Sequence, residues 1–235
     1  MTKQLTDGLN RLGIAPPPGA VEKMARYAEL LLEQNKVMNL TAITDPEQIA
    51  SLHFLDSAAL LTCADLPGKS LIDVGTGAGF PGMVLKLLVP DLKLTLLDSL
   101  NKRLDWLGTV CTDLGLSDVC ILHARAEEQG LQPGWRDSFD FATARAVADL
   151  RLLAELCLPF VRPGGRFLAM KANDCTQEVS NANRAIRILG GRLLPAFEYR
   201  VYGTDVERRV IVVQKETPTP KGYPRRWAKI QKQPL

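Results

Sequence analysis

Four glycines fall within eight residues of the stretch LIDVGTGAGFPG (71–82): Gly75, Gly77, Gly79 and Gly82. Glycine lets a backbone take left-handed conformations and approach a ligand closely. The stretch fits two overlapping patterns. From Gly77 to Gly82 it reads G-x-G-x-x-G, which on its own admits a dinucleotide. From Asp73 to Gly79 it reads D-x-G-x-G-x-G. Three features count against a phosphate ligand. Asp73 precedes the glycines, where a carboxylate attracts an ammonium or loop amides and repels a pyrophosphate. Met83 and Val84 follow Gly82, where a phosphate-binding loop needs lysine and a hydroxyl residue. No tyrosine has a lysine four residues on, so the chain shows no hydride-transfer apparatus of that kind. Asp98, in LTLLDS, supplies an acid for ribose hydroxyls at the end of the following strand, a position shared by nucleotide and S-adenosylmethionine sites. Taken together, the residues favour S-adenosylmethionine, with a nicotinamide dinucleotide as the competing reading.

Such a loop works only where a strand ends and a helix begins. From Leu71 onward the chain supplies that alternation. SLIDVG, KLTLLD, VCILHA, FDFATAR and GRFLAMK read as strands, separated by helical stretches, and AFEYRVYG with ERRVIVVQK reads as a hairpin around Gly203. Strand–helix alternation means a mostly parallel sheet covered on both faces, an α/β fold of the Rossmann-like kind. A terminal hairpin adds an antiparallel strand, which such sheets tolerate. Residues 1–66 read as helices: Leu5, Leu9 and Leu12 recur at helical spacing, Val21 to Leu31 form a second stripe, and Asp45-Pro46 signals the start of a third helix. The expected organisation is an N-terminal helical subdomain (1–66), a Rossmann-like domain (67–216) and a basic tail (217–235).

The chain has 235 residues, 46% hydrophobic and 23% charged, enough for one sizeable core. No apolar run suggests a membrane span or a secretory leader. The five cysteines form no Cys-x-x-Cys pair, and His53 and His123 lie far apart. A reducing, cytoplasmic setting without a metal site is therefore expected. The net charge of +3 is unevenly placed. Lys221, Arg225, Arg226, Lys229 and Lys232 crowd the tail without an acid, leaving the rest net acidic. With Tyr223 and Trp227 interleaved, the tail reads either as a nucleic-acid contact or as a solvated disordered end.

DVGTGAGFPG, LLDSLNKRLDWL, RAEE, FDFATARA and GGRFLAMK, in that order, resemble the ribosomal RNA small subunit methyltransferase G family. VMNLTAITDPEQIASLHFLDS resembles the family's N-terminal signature, and TPKGYPRRWAKIQKQPL its tail. The likeness spans nearly the whole chain. It implies methyl transfer from S-adenosylmethionine to N7 of a guanosine in 16S ribosomal RNA, on a class I methyltransferase fold with a seven-stranded sheet. It implies as partner the RNA or the small subunit during assembly. Action as a monomer is expected. Carried over by position, the cofactor contacts fall on Gly75, Phe80, Ala126, Glu127 and Arg145, with Asp98 at the ribose.

N7 of guanine has an in-plane lone pair and no proton to lose, so its methylation needs no general base. Orientation and field must supply the catalysis. Arg145, at the tip of the FDFATAR strand, is the leading catalytic candidate, because its fork can donate to guanine O6 or to phosphates. Lys171 and Asn39 join it as catalytic candidates, and Thr41, Asp56 and Ser57 are expected around it. Arg125, Arg208, His53, Arg225 and Arg226 are candidate RNA contacts. His53, Asp56 and Ser57 share one helix face, which fits either direct chemistry or a helix packed on the sheet. A small-molecule methyltransferase on the same fold remains the runner-up.

Overall fold

The strands of the carboxyl two-thirds assemble into one eight-stranded sheet. A computed structural model describes residues 1–145 and 148–235; Ala146 and Val147, in the TARAVAD segment, lie outside the described residues. The strands are β1 (Ser70–Val74), β2 (Lys93–Asp98), β3 (Val119–His123), β4 (Phe139–Arg145), β5 (Val161–Ala172), β6 (Gly191–Leu193), β7 (Phe197–Arg200) and β8 (Glu207–Lys215). They run in the order β3-β2-β1-β4-β5-β8-β6, and β7 also pairs with β8. β1 to β5 are parallel, whereas β8 is antiparallel to β5 and to both short strands.

Seven strands were expected, and the eighth has a simple origin. β6 pairs with residues 213–215 of β8 and β7 with residues 207–210, both antiparallel. Pro195 lies between them and has no N–H for the ladder. One hairpin arm is thus split in two.

Helices α1 (Thr2–Arg11), α2 (Ala20–Met38), α3 (Pro46–Ile49) and α4 (Asp56–Ala58) precede the sheet, with a π-helical segment, Ala50–Leu55, between the last two. Asp45 caps α3, its Oδ1 accepting from the Gln48 amide at 2.9 Å. α5 (Gly82–Leu88) and α6 (Asn101–Asp113) lie on the same face of the sheet as these helices. Leu5, Leu9, Met24, Leu31 and Phe54 are buried in one continuous core with Met83, Leu107 and Val110. Each such side chain contributes about 1.5–3 kcal/mol by burial. Residues 1–66 therefore share a core with the sheet domain instead of enclosing one of their own. On the opposite face α8 (Leu150–Cys157) and α9 (Thr176–Ile188) bury Leu153, Ala182 and Ile186 against Ile72, Ala142 and Phe167. No described helix is long and apolar enough to cross a membrane.

The tail is folded, in contrast to a free basic end. The Arg136 guanidinium donates to the carbonyls of Thr219, Pro220 and Tyr223. Lys215, fully buried, donates to Asp137, to the Leu158 carbonyl and to Thr219. Beyond these anchors lies α10 (Trp227–Lys232). The chain leaves β1 for β2 on one side, while β4 pairs on the other, so the sheet's topological switch point lies at the carboxyl ends of β1 and β4.

Candidate functional site

The glycine loop sits at that switch point. Gly75, Gly77 and Gly79 have φ of 70°, 58° and 89°, the left-handed region that disfavours side chains. The Gly77 amide donates to Asp98 Oδ2 at 2.9 Å, and Asp98 Oδ1 accepts from the Leu100 amide at 2.9 Å. Asp98 thereby ties the loop to the end of β2.

Asp73 does different work. Its Oδ2 accepts from Thr76 Oγ1 at 2.7 Å and from the Gly82 amide at 2.9 Å. It is fully buried, and its Oδ1 has no partner among the described residues. Burial pushes the carboxyl up to about 6, against the pull of the two hydrogen bonds and of Arg145. A Cβ on Gly82 would meet Asp73 Oδ2 at 2.8 Å, so glycine there lets α5 close onto the carboxylate. Gly79 faces inward too: a Cβ would collide with the Tyr27 hydroxyl, Leu107 and Met83. Tyr27, reaching up from α2, donates its hydroxyl to the Ala78 carbonyl under the loop.

Arg145 ends β4 beside the loop. Its Nη1 donates to the Leu52 carbonyl and to Asp56 Oδ2, both at 3.1 Å, and its Nη2 donates to His53 Nδ1 at 3.1 Å. Its remaining N–H donors have no partner among the described residues. Because arginine only donates, His53 Nδ1 accepts and the imidazole proton sits on Nε2, 2.8 Å from Thr41 Oγ1. The His53 ring stacks on Phe80, with centroids 4.7 Å apart and planes 15° apart. Burial, followed by the Arg145 charge, lowers His53 to about 3, so it is neutral at physiological pH. Asp56 is buried, and it also accepts from the Tyr199 hydroxyl at 2.7 Å.

Two cavities meet at this cluster. One, of about 490 Å³, runs from Gly75 and Gly77 past Asp98 to Ala126, Glu127 and Trp227. The other, of about 480 Å³, lies between Asp56, Lys171, Glu178 and Arg208. His53 and Arg145 line both.

The structure brings most of the sequence-predicted residues together and disperses others. Gly75, Gly77, Phe80, Asp98, Ala126, Glu127, His53, Arg125 and Arg145 line the first cavity. Lys171 and Arg208 line the second, where Lys171 donates to Glu178 and to the Ala148 carbonyl. Asp73 and Gly79 support the loop from beneath and are not among the cavity-lining residues. Asn39 is the exposed C-cap of α2, with φ 49°. Its neighbour in the pattern, Asn35, holds Thr41 through paired bonds of 2.9 Å and so aims the Thr41 hydroxyl at His53. Arg225 is withdrawn from solvent: its Nε and Nη2 bind Glu155 at 2.8 and 2.7 Å, and the Glu155 side chain is 1% exposed. Its guanidinium is thus committed to Glu155 within the fold. Arg226, next to it, is exposed. Tyr27, Asn35, Tyr199 and Trp227 were not assigned to the site from sequence, because nothing local marks a tyrosine or asparagine as reaching across the fold.

Comparison with known proteins agrees with this architecture. The family described as rRNA small subunit methyltransferase G matches residues 20–199. Ribosomal RNA small subunit methyltransferase G of Acetivibrio thermocellus is 45% identical over 235 residues, covering 100% of this chain and 97% of that protein. The protein of the same name from Symbiobacterium thermophilum is 46% identical over 237 residues, covering 98% and 96%. Among solved structures, a methyltransferase from Pyrococcus furiosus aligns with a TM-score of 0.56 at 14% identity, over 83% of this chain and 98% of that one. TrmN from Thermus thermophilus aligns at 0.53 and 24% identity, over 68% and 48%. The two structures share the fold; the sequence relatives carry more. The chain belongs to the ribosomal RNA small subunit methyltransferase G family.

Proposed function

We propose that this protein transfers a methyl group from S-adenosylmethionine to N7 of a guanosine in the 16S RNA of the small ribosomal subunit. The observation that carries the reading is the shared wall of the two cavities: the Arg145 guanidinium faces both, and the neutral His53 is locked beside it.

The first cavity suits the cofactor. Its volume lies within the usual range for small-molecule sites. Left-handed glycines line one end, Asp98 offers carboxylate oxygens for a ribose diol, and Glu127 presents a buried acid whose nearest cation, Arg125, is 3.9 Å away. The cofactor supplies an electrophilic methyl on a sulfonium. The protein's own task is placement. The second cavity receives the base, and the uncommitted donors of Arg145 bind guanine O6 or a nearby phosphate oxygen. His53 has both ring nitrogens occupied, so it orients Arg145 and takes no proton. That suits a nitrogen nucleophile with no proton to lose. Arg125, Arg208 and Arg226 meet the phosphates around an unpaired, splayed-out nucleotide.

The reading includes action as a monomer. The five unpaired cysteines suit a reducing compartment such as the cytoplasm. The test is methylation by the purified protein with methyl-labelled S-adenosylmethionine, offering naked 16S RNA and small subunits in parallel, followed by nucleoside analysis. Label in 7-methylguanosine is expected. Label in another nucleoside, or in neither RNA, would sink the proposal.

A further inference from the structure

The C-terminal tail reads from its composition as an RNA contact, yet its tryptophan lines the cofactor cavity. We propose that Trp227 is a cofactor-binding residue that packs against the purine of S-adenosylmethionine, and that the Glu155–Arg225 pair is the positioning device that holds it there. The inference rests on the cofactor assignment of the first cavity made above.

Placement comes first. Pro224 abuts the end of α7 (Ala126–Gln129), since a Cβ on Gly130 would meet it at 3.4 Å. Arg136 joins the same two segments, donating to the carbonyls of Gly130 and Tyr223. Trp227 thus enters from the side of the cavity that Ala126 and Glu127 form, away from the wall of His53 and Arg145. Leu156, on α8, lines the cavity on this side as well.

Chemistry comes second. The purine is the large flat group of the cofactor and needs a flat apolar partner. Phe80, the other large aromatic hydrocarbon of the cavity, already packs against Tyr27, Phe54 and His53. Trp227 makes no aromatic pair among the described residues, is only partly buried and lines the cavity, so it has surface left for a ligand.

Anchoring comes third. A short terminal helix without restraint would fray. Here the segment before it carries three polar anchors: Lys215 on Thr219, Arg136 on three carbonyls, and Arg225 on Glu155. The last is two residues from Trp227, and Glu155 also accepts from the Arg225 amide at 2.8 Å. Backbone and side chain are gripped together, which fixes the direction in which the indole leaves the chain.

The experiment is calorimetry with two probes, S-adenosylhomocysteine and 5′-methylthioadenosine, the second lacking the amino-acid end. Trp227→Ala should weaken both by about 5- to 100-fold, as expected for loss of one base-stacking ring. Trp227→Phe should recover most of the loss, and Glu155→Gln should weaken both probes with Trp227 still present. Gly75→Val, which obstructs the loop, should abolish both. If Trp227→Ala binds within twofold of wild type while Gly75→Val does not bind, the purine-wall inference is overturned and the cofactor assignment stands. Equal losses from Trp227→Ala and Trp227→Phe would also overturn it, since a ring face would then not be what matters. If Gly75→Val binds both probes as wild type does, or wild type binds neither, the cofactor assignment itself fails.

Discussion

His53→Gln should be damaging at neutral pH and harmless in mild acid. The imidazole is stacked on Phe80, hydrogen-bonded to Thr41 and Arg145, and lowered to about 3 from its ordinary 6.5. Between those two values the unfolded chain holds a proton that the folded protein does not. Stability therefore falls as pH drops below about 6.5, by about 1.4 kcal/mol per pH unit. Asp73 acts in the opposite sense. Its folded value near 6 exceeds the ordinary 3.8, so its contribution is present at low pH and lost as pH rises through 6. Between pH 4 and 6 the two gradients largely cancel, and the wild-type curve hides both. Glutamine at position 53 removes only the first. At pH 7.5 the variant should be less stable by roughly 1–3 kcal/mol, for the lost stacking and hydrogen bonds. Between pH 6.5 and 4.5 that gap should close by about 2–3 kcal/mol. Urea denaturation of both proteins across this range measures it. A gap constant to within about 0.5 kcal/mol would show that His53 titrates like an exposed imidazole, and the locked neutral ring would have to be abandoned.

The other expectations can be tested individually. Arg145→Lys should rescue single-turnover methylation poorly relative to Arg145→Ala if paired donors hold the base, and well if only positive potential matters; full activity of the alanine variant would remove Arg145 from the chemical step. Arg225→Ala should cost about 3–5 kcal/mol in thermal or urea unfolding, because it strands a buried Glu155; an unchanged midpoint would mean the pair is not formed in solution. Arg226→Ala should leave stability unchanged and reduce the salt slope of RNA binding by slightly less than one unit; an identical slope would exclude a phosphate contact. Gly79→Ala should lower the unfolding midpoint sharply, from left-handed strain and collision with Tyr27; wild-type stability would contradict the inward-facing loop.

Elements were legible where local chemistry dictates them. Asp45 caps its helix as its type and position suggest, and the strand alternation gave the sheet with its switch point. Less legible were the different surroundings of adjacent residues of one type. Arg225 and Arg226 are indistinguishable in the chain, yet one meets Glu155, seventy residues earlier, and the other meets water. Within the glycine motif, Gly75 and Gly77 face a cavity while Gly79 and Gly82 face Tyr27 and Asp73. The spacing announces that backbone must come close to something without saying whether that is ligand or protein. Asn39 attracted attention as a polar residue in a family motif, but its position one past α2 makes it a left-handed cap, and Asn35 one turn earlier does the work of orienting Thr41.

The anchoring of the tail bears on how the chain is made. Glu155 on α8 and Asp137 before β4 emerge during synthesis well ahead of Lys215 and Arg225, the cations that neutralise them. A product released before Arg225 would bury Glu155 with no counter-charge, a defect worth several kcal/mol in a fold of ordinary marginal stability. Such a fragment would populate unfolded forms more often and be exposed to proteases for longer. The stability of the sheet domain thus depends on cations synthesised after it, and a chain interrupted before Arg225 is expected to unfold more readily than one that carries both.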